Sequence, residues 1–268
     1  MAGPSSAAAR SRDLLVDALL GASVFVVLGI AWDLAAHAGW FPARLFPTLG
    51  SIGDAFLHLV HDGVLLKATK ATLGRLVAGF LLGATPGLAL GLLMGRFAWL
   101  EDFLMPVVDF FYSIPGIAYA PLFVLWFGVG DRAAIVIVAF TSSLPVLLNT
   151  WRGVHSVREI WLRAARVMGA SDAATILRVM FPASLPYILA GLRIGLGNGW
   201  RVLIAVEMLT SVSAGLGWVI FNSQQFLDSA TMLAAILVIG VIGVAIELAV
   251  FGSIERRTIA RWGMAVSK

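Results

Sequence analysis

The stretch LRAARVMGASDAATILRVMFPASLP, residues 162–186, decides how this chain is organised, because it is a charged interruption between two long apolar runs. The connection between those runs covers residues 152–185, with helical spacing and mixed charge. Gly169 is suited to stop a short helix, and Pro182 is suited to begin the next one. An ordinary helical bundle needs no connection of this length. We therefore predict a helix over 159–170 that is joined rigidly to the following apolar helix.

The composition around this stretch is typical of a membrane protein. Of the 268 residues, 60% are hydrophobic and only 13% are charged, and the mean hydropathy is +0.93. A soluble domain carries about 25% charged residues, and a helix that crosses a bilayer needs ~20 mostly apolar residues. The apolar runs predict an all-α fold with six transmembrane helices. The predicted spans are residues 14–36, 73–95, 103–126, 133–151, 186–207 and 229–252.

The distribution of Lys and Arg predicts the orientation, because these residues accumulate on the cytoplasmic side. With the N-terminus inside, 12 of the 19 basic residues fall on the cytoplasmic side, and none lies between Arg201 and Arg256. We therefore expect both termini in the cytoplasm. The predicted divisions are a cytoplasmic tail (1–13), a first transmembrane helix with an outer amphipathic segment (14–65), a core (66–252) and a basic cytoplasmic tail (253–268).

Residues 48–62, TLGSIGDAFLHLVHD, are predicted to form a short amphipathic helix on the outer surface. Thr48 is a suitable N-cap for this helix. One side of it is apolar and carries Ile52, Phe56, Leu59 and Val60. We expect this helix to have a structural role only.

Several function classes find little support in the sequence. The absence of cysteine excludes disulfides, thiolate metal sites and a cysteine nucleophile. Asp54, His58 and His61 could supply three metal ligands, but any solvated face of a surface helix shows this spacing, so no metal site is predicted. No nucleophile-elbow or zincin pattern occurs, which argues against an intramembrane enzyme. The basic charge reflects membrane topology and does not indicate nucleic acid binding.

The stretch quoted first resembles the loop shared by permease subunits of binding-protein-dependent ABC importers. In that family Glu-Ala-Ala is followed by three residues, Gly, nine residues and Ile-x-Leu-Pro. The matching positions are Ala164, Ala165, Gly169 and Pro182. Arg163 stands where Glu is usual, so the charge is reversed and the usual salt bridge of that position is in doubt. Val179 and Phe181 replace Ile and Leu and keep an apolar side chain.

The resemblance covers about residues 45–262 and points to the nitrate, sulfonate and taurine branch of these permeases. The blocks that carry it are IPGIAYAPLFVLWFGVGD (114–131), PVLLNTWRGVHSV (145–157), LPYILAGLRIGLG (185–197), AVEML (205–209) and AGLGWVIF (214–221). It implies a type I ABC importer permease with a cytoplasmic coupling helix, in a prokaryotic inner membrane. It further implies a homodimer, two ATPase subunits and an extracytoplasmic solute-binding protein.

ATP is expected on the partner ATPase, since none of the three lysines lies in a phosphate-binding loop. No cofactor is expected on this chain. The alternative function is a stand-alone secondary transporter or channel. That alternative explains the hydrophobicity and the buried charges but leaves the long inner connection unexplained.

Five ionisable residues are predicted in the spans, where each needs a partner or water. They are Asp109, Arg193, Arg201, Glu207 and Glu247. Arg193 is expected to be held by Glu247 or Asp109, which lie at similar depth, and Glu207 is expected at the outer interface. Arg201 is expected to face the interior, where Gly195, Gly197 and Gly199 leave room. It either lines the path of an anionic solute or forms a second internal contact, with Glu207 of the partner subunit or with a polar group near Tyr119.

Glycine recurs every four residues along the second predicted span, at positions 83, 87, 91 and 95. Such a row of small residues lets helix backbones approach closely. The pattern predicts a packing surface within the permease core or at its dimer contact.

Overall fold

The computed structural model describes residues 23–210 and 214–251, and over these ranges the chain is helical without strands. The predictions for residues 1–22 and 252–268, including both tails, lie outside the described residues. The helices are α1 (Ser23–His37), α2 (Leu49–His61), α3 (Val64–Arg96), α4 (Ala98–Ser113), α5 (Ala120–Phe127), α6 (Asp131–His155), α7 (Glu159–Val167), α8 (Asp172–Thr175), α9 (Phe181–Leu209), α10 (Leu216–Gln225) and α11 (Ser229–Ile246).

Four helical stretches in the described ranges are long and apolar enough to cross a membrane: Val64–Arg96, Asp131–His155, Asp172–Leu209 and Ser229–Ala249. The count rises to five if the bent pair α4 and α5 forms one span. The described part of the first predicted span, α1, is shorter. The total of six spans stays a prediction.

The core of the bundle is built around α6. Glycines of α3 lie against its backbone: a Cβ added at Gly87 would approach the carbonyl oxygen of Ser143 to 2.6 Å, and one at Gly91 would approach that of Leu147 to 2.6 Å. On another side, a Cβ at Gly195 of α9 would lie 2.8 Å from the carbonyl oxygen of Ser142. The glycine row of α3 therefore packs against α6 inside the bundle, and of the two predicted alternatives the dimer contact is the wrong one.

The third predicted span is sharply bent. Ile114 has extended backbone angles because the following Pro115 disfavours the helical conformation. A short 3₁₀ helix, Gly116–Tyr119, then leads into α5, and the two halves of the pair differ in direction by 95°. Gly116 is needed at this bend, since a Cβ there would lie 2.8 Å from the Thr141 side chain of α6. The bend opens a space between the pair, α6 and α9.

The predicted amphipathic helix is present as α2. The Thr48 side chain accepts a hydrogen bond from the amide of Ser51 at 3.3 Å, as expected of an N-cap. Ile52 and Leu59 are buried, and α2 packs against α11. Among the residues that the structure describes, no group of three or more His, Asp or Glu side chains is arranged to hold a metal ion.

Candidate functional site

The helix predicted over residues 159–170 is present as α7 and ends in a glycine stop. Helix α7 ends at Val167, and Gly169 adopts a left-handed conformation with φ +73°. The amide of Gly169 donates to the carbonyl of Arg166 at 3.0 Å, and the amide of Ala170 donates to that of Ala165 at 3.0 Å. This pair of bonds is a Schellman motif, which satisfies carbonyls at the end of the helix.

One face of α7 is buried against the bundle and the other is exposed. Ala165, which matches the family motif, is buried. Val167 and Met168 are 88% and 79% exposed, and Ile160 and Trp161 are exposed as well. Large apolar side chains grouped on a projecting helix are characteristic of a contact surface for another protein.

Arg163, the residue that departs from the family motif, forms an ion pair within α7. Its Nη2 lies 2.8 Å from Oε1 of Glu159, one turn earlier, and its Nε donates to the same oxygen at 2.9 Å. Both side chains are largely exposed. The reversed charge at position 163 thus has a carboxylate partner in its own helix.

The segment that follows α7 is continuous with the next spanning helix. Residues Asp172–Leu209 form one helical stretch, in which a π-helical turn, Ile176–Met180, connects α8 to α9. Pro182 lies in the first turn of α9, as predicted, but α8 and the π turn precede it without a break in the helical stretch. A proline lacks an amide proton and its ring crowds the preceding turn, and a widened π turn relieves this conflict. Asp172 also pairs with Arg96 at the end of α3.

A buried charge cluster lies at the opposite end of the bundle. Glu207 lies two residues before the end of α9 and is fully buried inside the protein, while its predicted depth at the outer membrane interface stays a prediction. Its Oε1 lies 2.6 Å from Nη1 of Arg75, and its Oε2 accepts from the amide of Gly217 at 3.0 Å. The Thr72 hydroxyl also donates to this carboxylate, and Arg75 reaches Asp131 at 2.7 Å. The cluster joins α3, α6, α9 and the start of α10.

The partners of Glu207 were not found from the sequence. Arg75 lies near the start of the predicted second span, where residue counting assigns it to the interface, and Thr72 lies just outside that span. The available signal was an arginine and a glutamate in different apolar runs, each requiring a partner. Which of the charges in the chain would meet depends on the packing of helices that are distant in sequence.

Arg193 contacts Glu247 and not Asp109. The two side chains form an ion pair that joins α9 to the helical turn after α11. Their side chains are 50% and 56% exposed, so the pair is not buried within this chain. Asp109 lies exposed on α4. The role of these three charges stays a prediction.

Arg201 lies at a cavity of about 400 Å³ formed by the bend between α4 and α5 together with α6 and α9. The polar side chains of its wall come from Tyr112, Ser113, Tyr119, Thr141, Asn198 and Arg201. The remaining wall is mainly aromatic and aliphatic, from Phe111, Ile114, Pro115, Phe140, Leu144 and Val202.

The guanidinium of Arg201 is held by a neutral partner. Its Nη2 donates to Oδ1 of Asn198 at 2.6 Å, one turn earlier on α9. Arg201 forms no ion pair with any residue in the described ranges, and Glu207 is already held by Arg75. Of the three glycines predicted to leave room for Arg201, Gly197 lies beside the guanidinium, while Gly195 and Gly199 face α6.

Comparisons with known proteins agree with this architecture. The family model for the binding-protein-dependent transport system inner membrane component matches residues 87–258. The taurine transport system permease protein of Escherichia coli (strain K12) is 35% identical over 187 residues, covering 70% of this chain and 68% of that protein. The nitrate import permease protein of Leptolyngbya laminosa is 28% identical over 267 residues, covering 94% and 95%. The MetNI methionine ABC transporter in an inward-facing conformation shares the fold, with a TM-score of 0.65 at 20% identity over 73% of this chain and 96% of that chain.

Proposed function

The chain belongs to the family of binding-protein-dependent transport system inner membrane components, and we propose that it forms the path for a small anionic solute in an ATP-driven importer. As a member of this family it is a multi-pass transport subunit and not an enzyme. In this proposal ATP is bound and hydrolysed by a separate ATPase chain, and no cofactor is bound here.

The observation that carries the proposal is the exposed face of α7. Its apolar side chains, Ile160, Trp161, Val167 and Met168, project from the end of the bundle. The Gly169 stop and the continuous helix that begins at Asp172 connect this face directly to α9. An ATPase that moves α7 would therefore move a spanning helix, which is what coupling requires.

The anionic solute is proposed from two sources. Two relatives are named for taurine and nitrate, each of which carries a negatively charged group of oxygens. Within this chain, Arg201 offers a cation without an acidic partner in the described ranges, at the wall of a cavity. A guanidinium holds such oxyanions through paired hydrogen bonds.

The assembly that we propose contains a second copy of this chain, two ATPase subunits and an extracytoplasmic solute-binding protein. Its core is formed by residues 66–252, and both termini lie in the cytoplasm of a prokaryotic inner membrane. The distribution of Lys and Arg supports this orientation.

The coupling role is tested by a pair of substitutions at Gly169. Gly169→Val puts a β-branched residue at φ +73°, a conformation that such residues strongly disfavour. Gly169→Asn is the matched control, because Asn tolerates the left-handed conformation. A Cβ here meets no atom within 4 Å, so neither variant is expected to disturb the packing of the bundle.

We expect the Val variant to insert normally but to lose ATP-driven solute uptake and co-purification with the ATPase, while the Asn variant keeps both. Normal uptake by Gly169→Val would contradict the proposal. Uptake that persists without ATP and follows an ion gradient would instead favour a stand-alone transporter.

The path is tested by comparing Arg201→Gln with Arg201→Lys. If Arg201 lines the path, Gln abolishes uptake with little loss of folded protein and Lys retains part of it. If Gln lowers the yield of folded protein and leaves the rate per folded molecule unchanged, Arg201 is structural.

A further inference from the structure

A long apolar groove lies between α2, α3 and α11, away from the cavity beside Arg201. One stripe of α2, which includes Ile52 and Phe56, forms one wall, and the first two turns of α3 form another. Among the described residues that line the groove, only Thr69 has a polar side chain. The volume of about 870 Å³ lies near the upper end of the range of ~300–1,000 Å³ for small-molecule pockets. The groove therefore has room for an extended apolar chain.

The third wall of the groove follows α11 into the apolar span. The lining residues of this helix extend from Ala234 to Ile242, which is about 12 Å along the axis at ~1.5 Å per residue. Only 11% of the most apolar part of the span Ser229–Ala249 is buried within the described chain. In a bilayer this surface is surrounded by hydrocarbon and not by water. A lipid acyl chain can therefore enter the groove from the side.

Two lysines flank the groove where α3 begins. Lys67 and Lys70 directly follow the lining residues Leu66 and Thr69, and they lie one to two turns before Arg75 of the buried charge cluster. Both side chains are exposed, and in the described ranges neither forms an ion pair with a carboxylate. This end of the bundle is the predicted outer surface of the membrane. The lysines thus offer two unneutralised positive charges where phospholipid headgroups are expected.

An apolar groove with unpaired cations at one end matches the chemistry of an anionic phospholipid. A second copy of this chain, or another apolar helix, would cover the apolar walls but leave both lysines unpaired. We propose that the groove binds an acyl chain of an anionic phospholipid, such as phosphatidylglycerol, whose phosphate contacts Lys67 and Lys70. The bound lipid packs against α2, α3 and α11 together and so stabilises their arrangement. This inference goes beyond the proposed function and depends neither on the solute nor on the ATPase.

The test compares two phospholipids that have the same acyl chains, dioleoylphosphatidylglycerol and dioleoylphosphatidylcholine. Each is added to the full chain purified in detergent. The retained lipid is counted by native mass spectrometry, and the melting temperature is followed over a lipid concentration series at constant ionic strength. We expect one phosphatidylglycerol to be retained per chain and the melting temperature to rise saturably. Phosphatidylcholine, which has no net charge, should be retained less and should stabilise less at equal concentration.

The role of the charges is tested by combining Lys67→Gln with Lys70→Gln. A basic residue near an anionic membrane surface increases affinity by a factor of about five. We therefore expect the double variant to bind phosphatidylglycerol roughly tenfold or more weakly than the parent, with unchanged binding of phosphatidylcholine. Arg132→Gln is the matched control, because it removes an exposed cation at the start of α6 that does not line the groove. It should leave the binding of both lipids unchanged.

The role of the apolar walls is tested by filling the groove with Gly53→Leu. Gly53 lines the groove on α2, and a Cβ added there meets no atom within 4 Å. We expect this variant to lose the retained phosphatidylglycerol. Its melting temperature without lipid should be kept or raised, since glycine inside a helix is unfavourable. Gly74→Leu on α3 is the control, because its Cβ also meets no atom within 4 Å but Gly74 does not line the groove.

Three results would overturn the proposal: equal retention of the two lipids by the parent, an unchanged preference for phosphatidylglycerol in the double lysine variant, or unchanged retention in Gly53→Leu. A dimer of the parent that becomes a monomer in Gly53→Leu, without any effect of phosphatidylglycerol on the parent, would also overturn it, because a second copy would then cover the groove. None of these results bears on the Gly169 or Arg201 comparisons, which test the importer function separately.

Discussion

Removing the charge of Glu207 is expected to destabilise the protein strongly. In Glu207→Gln the side chain keeps its size and can still accept hydrogen bonds from the Thr72 hydroxyl and the Gly217 amide. What is lost is the negative charge 2.6 Å from Nη1 of Arg75, a residue that is itself only 5% exposed. The variant therefore leaves a buried guanidinium without its buried partner.

The size of the stability loss expected for Glu207→Gln follows from the surroundings of Arg75. Removing one partner of a buried ion pair costs about 3–5 kcal/mol. Arg75 keeps Asp131, whose side chain is 64% exposed and hence screened by solvent, so we expect the lower end of that range. With roughly 2–4 °C per kcal/mol for a chain of this size, a loss of about 3 kcal/mol lowers the melting temperature by about 6–12 °C.

The measurement is the thermal unfolding of purified variants in one detergent. Asp131→Asn is the control, because it removes an exposed partner of the same arginine and should cost less than about 1 kcal/mol. Adding Arg75→Met to Glu207→Gln removes the unpaired charge and should restore part of the loss. If Glu207→Gln has the same melting temperature as the parent, the cluster does not hold the bundle together as argued. The same conclusion follows if the double variant melts below Glu207→Gln.

Three further predictions compare the folded yield or the thermal unfolding of variants with that of the parent chain. Gly83→Ala should abolish the yield of folded protein, since its Cβ would overlap the backbone of α6. Gly74→Ala on the same helix is the control, because its Cβ meets no atom within 4 Å, and it should stabilise the chain by about 0.5–1 kcal/mol. A yield of folded Gly83→Ala equal to that of the parent would contradict the close packing. Arg193→Ala should lower the free energy of unfolding by less than about 1 kcal/mol, because its pair with Glu247 is half exposed. A decrease of several kcal/mol would mean that the pair is buried by another subunit. Leu227→Gly should raise the melting temperature, since Leu227 has φ +56°, a conformation that costs an ordinary residue about 1–2 kcal/mol. An unchanged or lower melting temperature would show that the Leu227 side chain stabilises the protein by at least as much as the backbone strain destabilises it.

Features that depend on neighbouring residues were predictable from the sequence. The N-cap at Thr48, the glycine stop at Gly169 and the break at Pro115 each follow from the conformational preference of one residue type. The apolar runs likewise indicated the spanning helices, since each run reports its own length and composition. The matched spacing around Gly169 predicted α7 and its stop for the same reason, as all of its positions lie within one short stretch.

The tertiary structure alone decided which distant residues meet. Counting residues along a helix gives the depth of Glu207 but not its neighbours, and so the sequence did not reveal that Arg75, 132 positions away, is its buried partner. The choice of Glu247 over Asp109 as the partner of Arg193, and the cavity beside Arg201, have the same origin. The physical reason is that helix packing is set by side-chain volumes at the contacts, here by glycines of α3 and α9 against α6, and it is this packing that brings together charges from different helices.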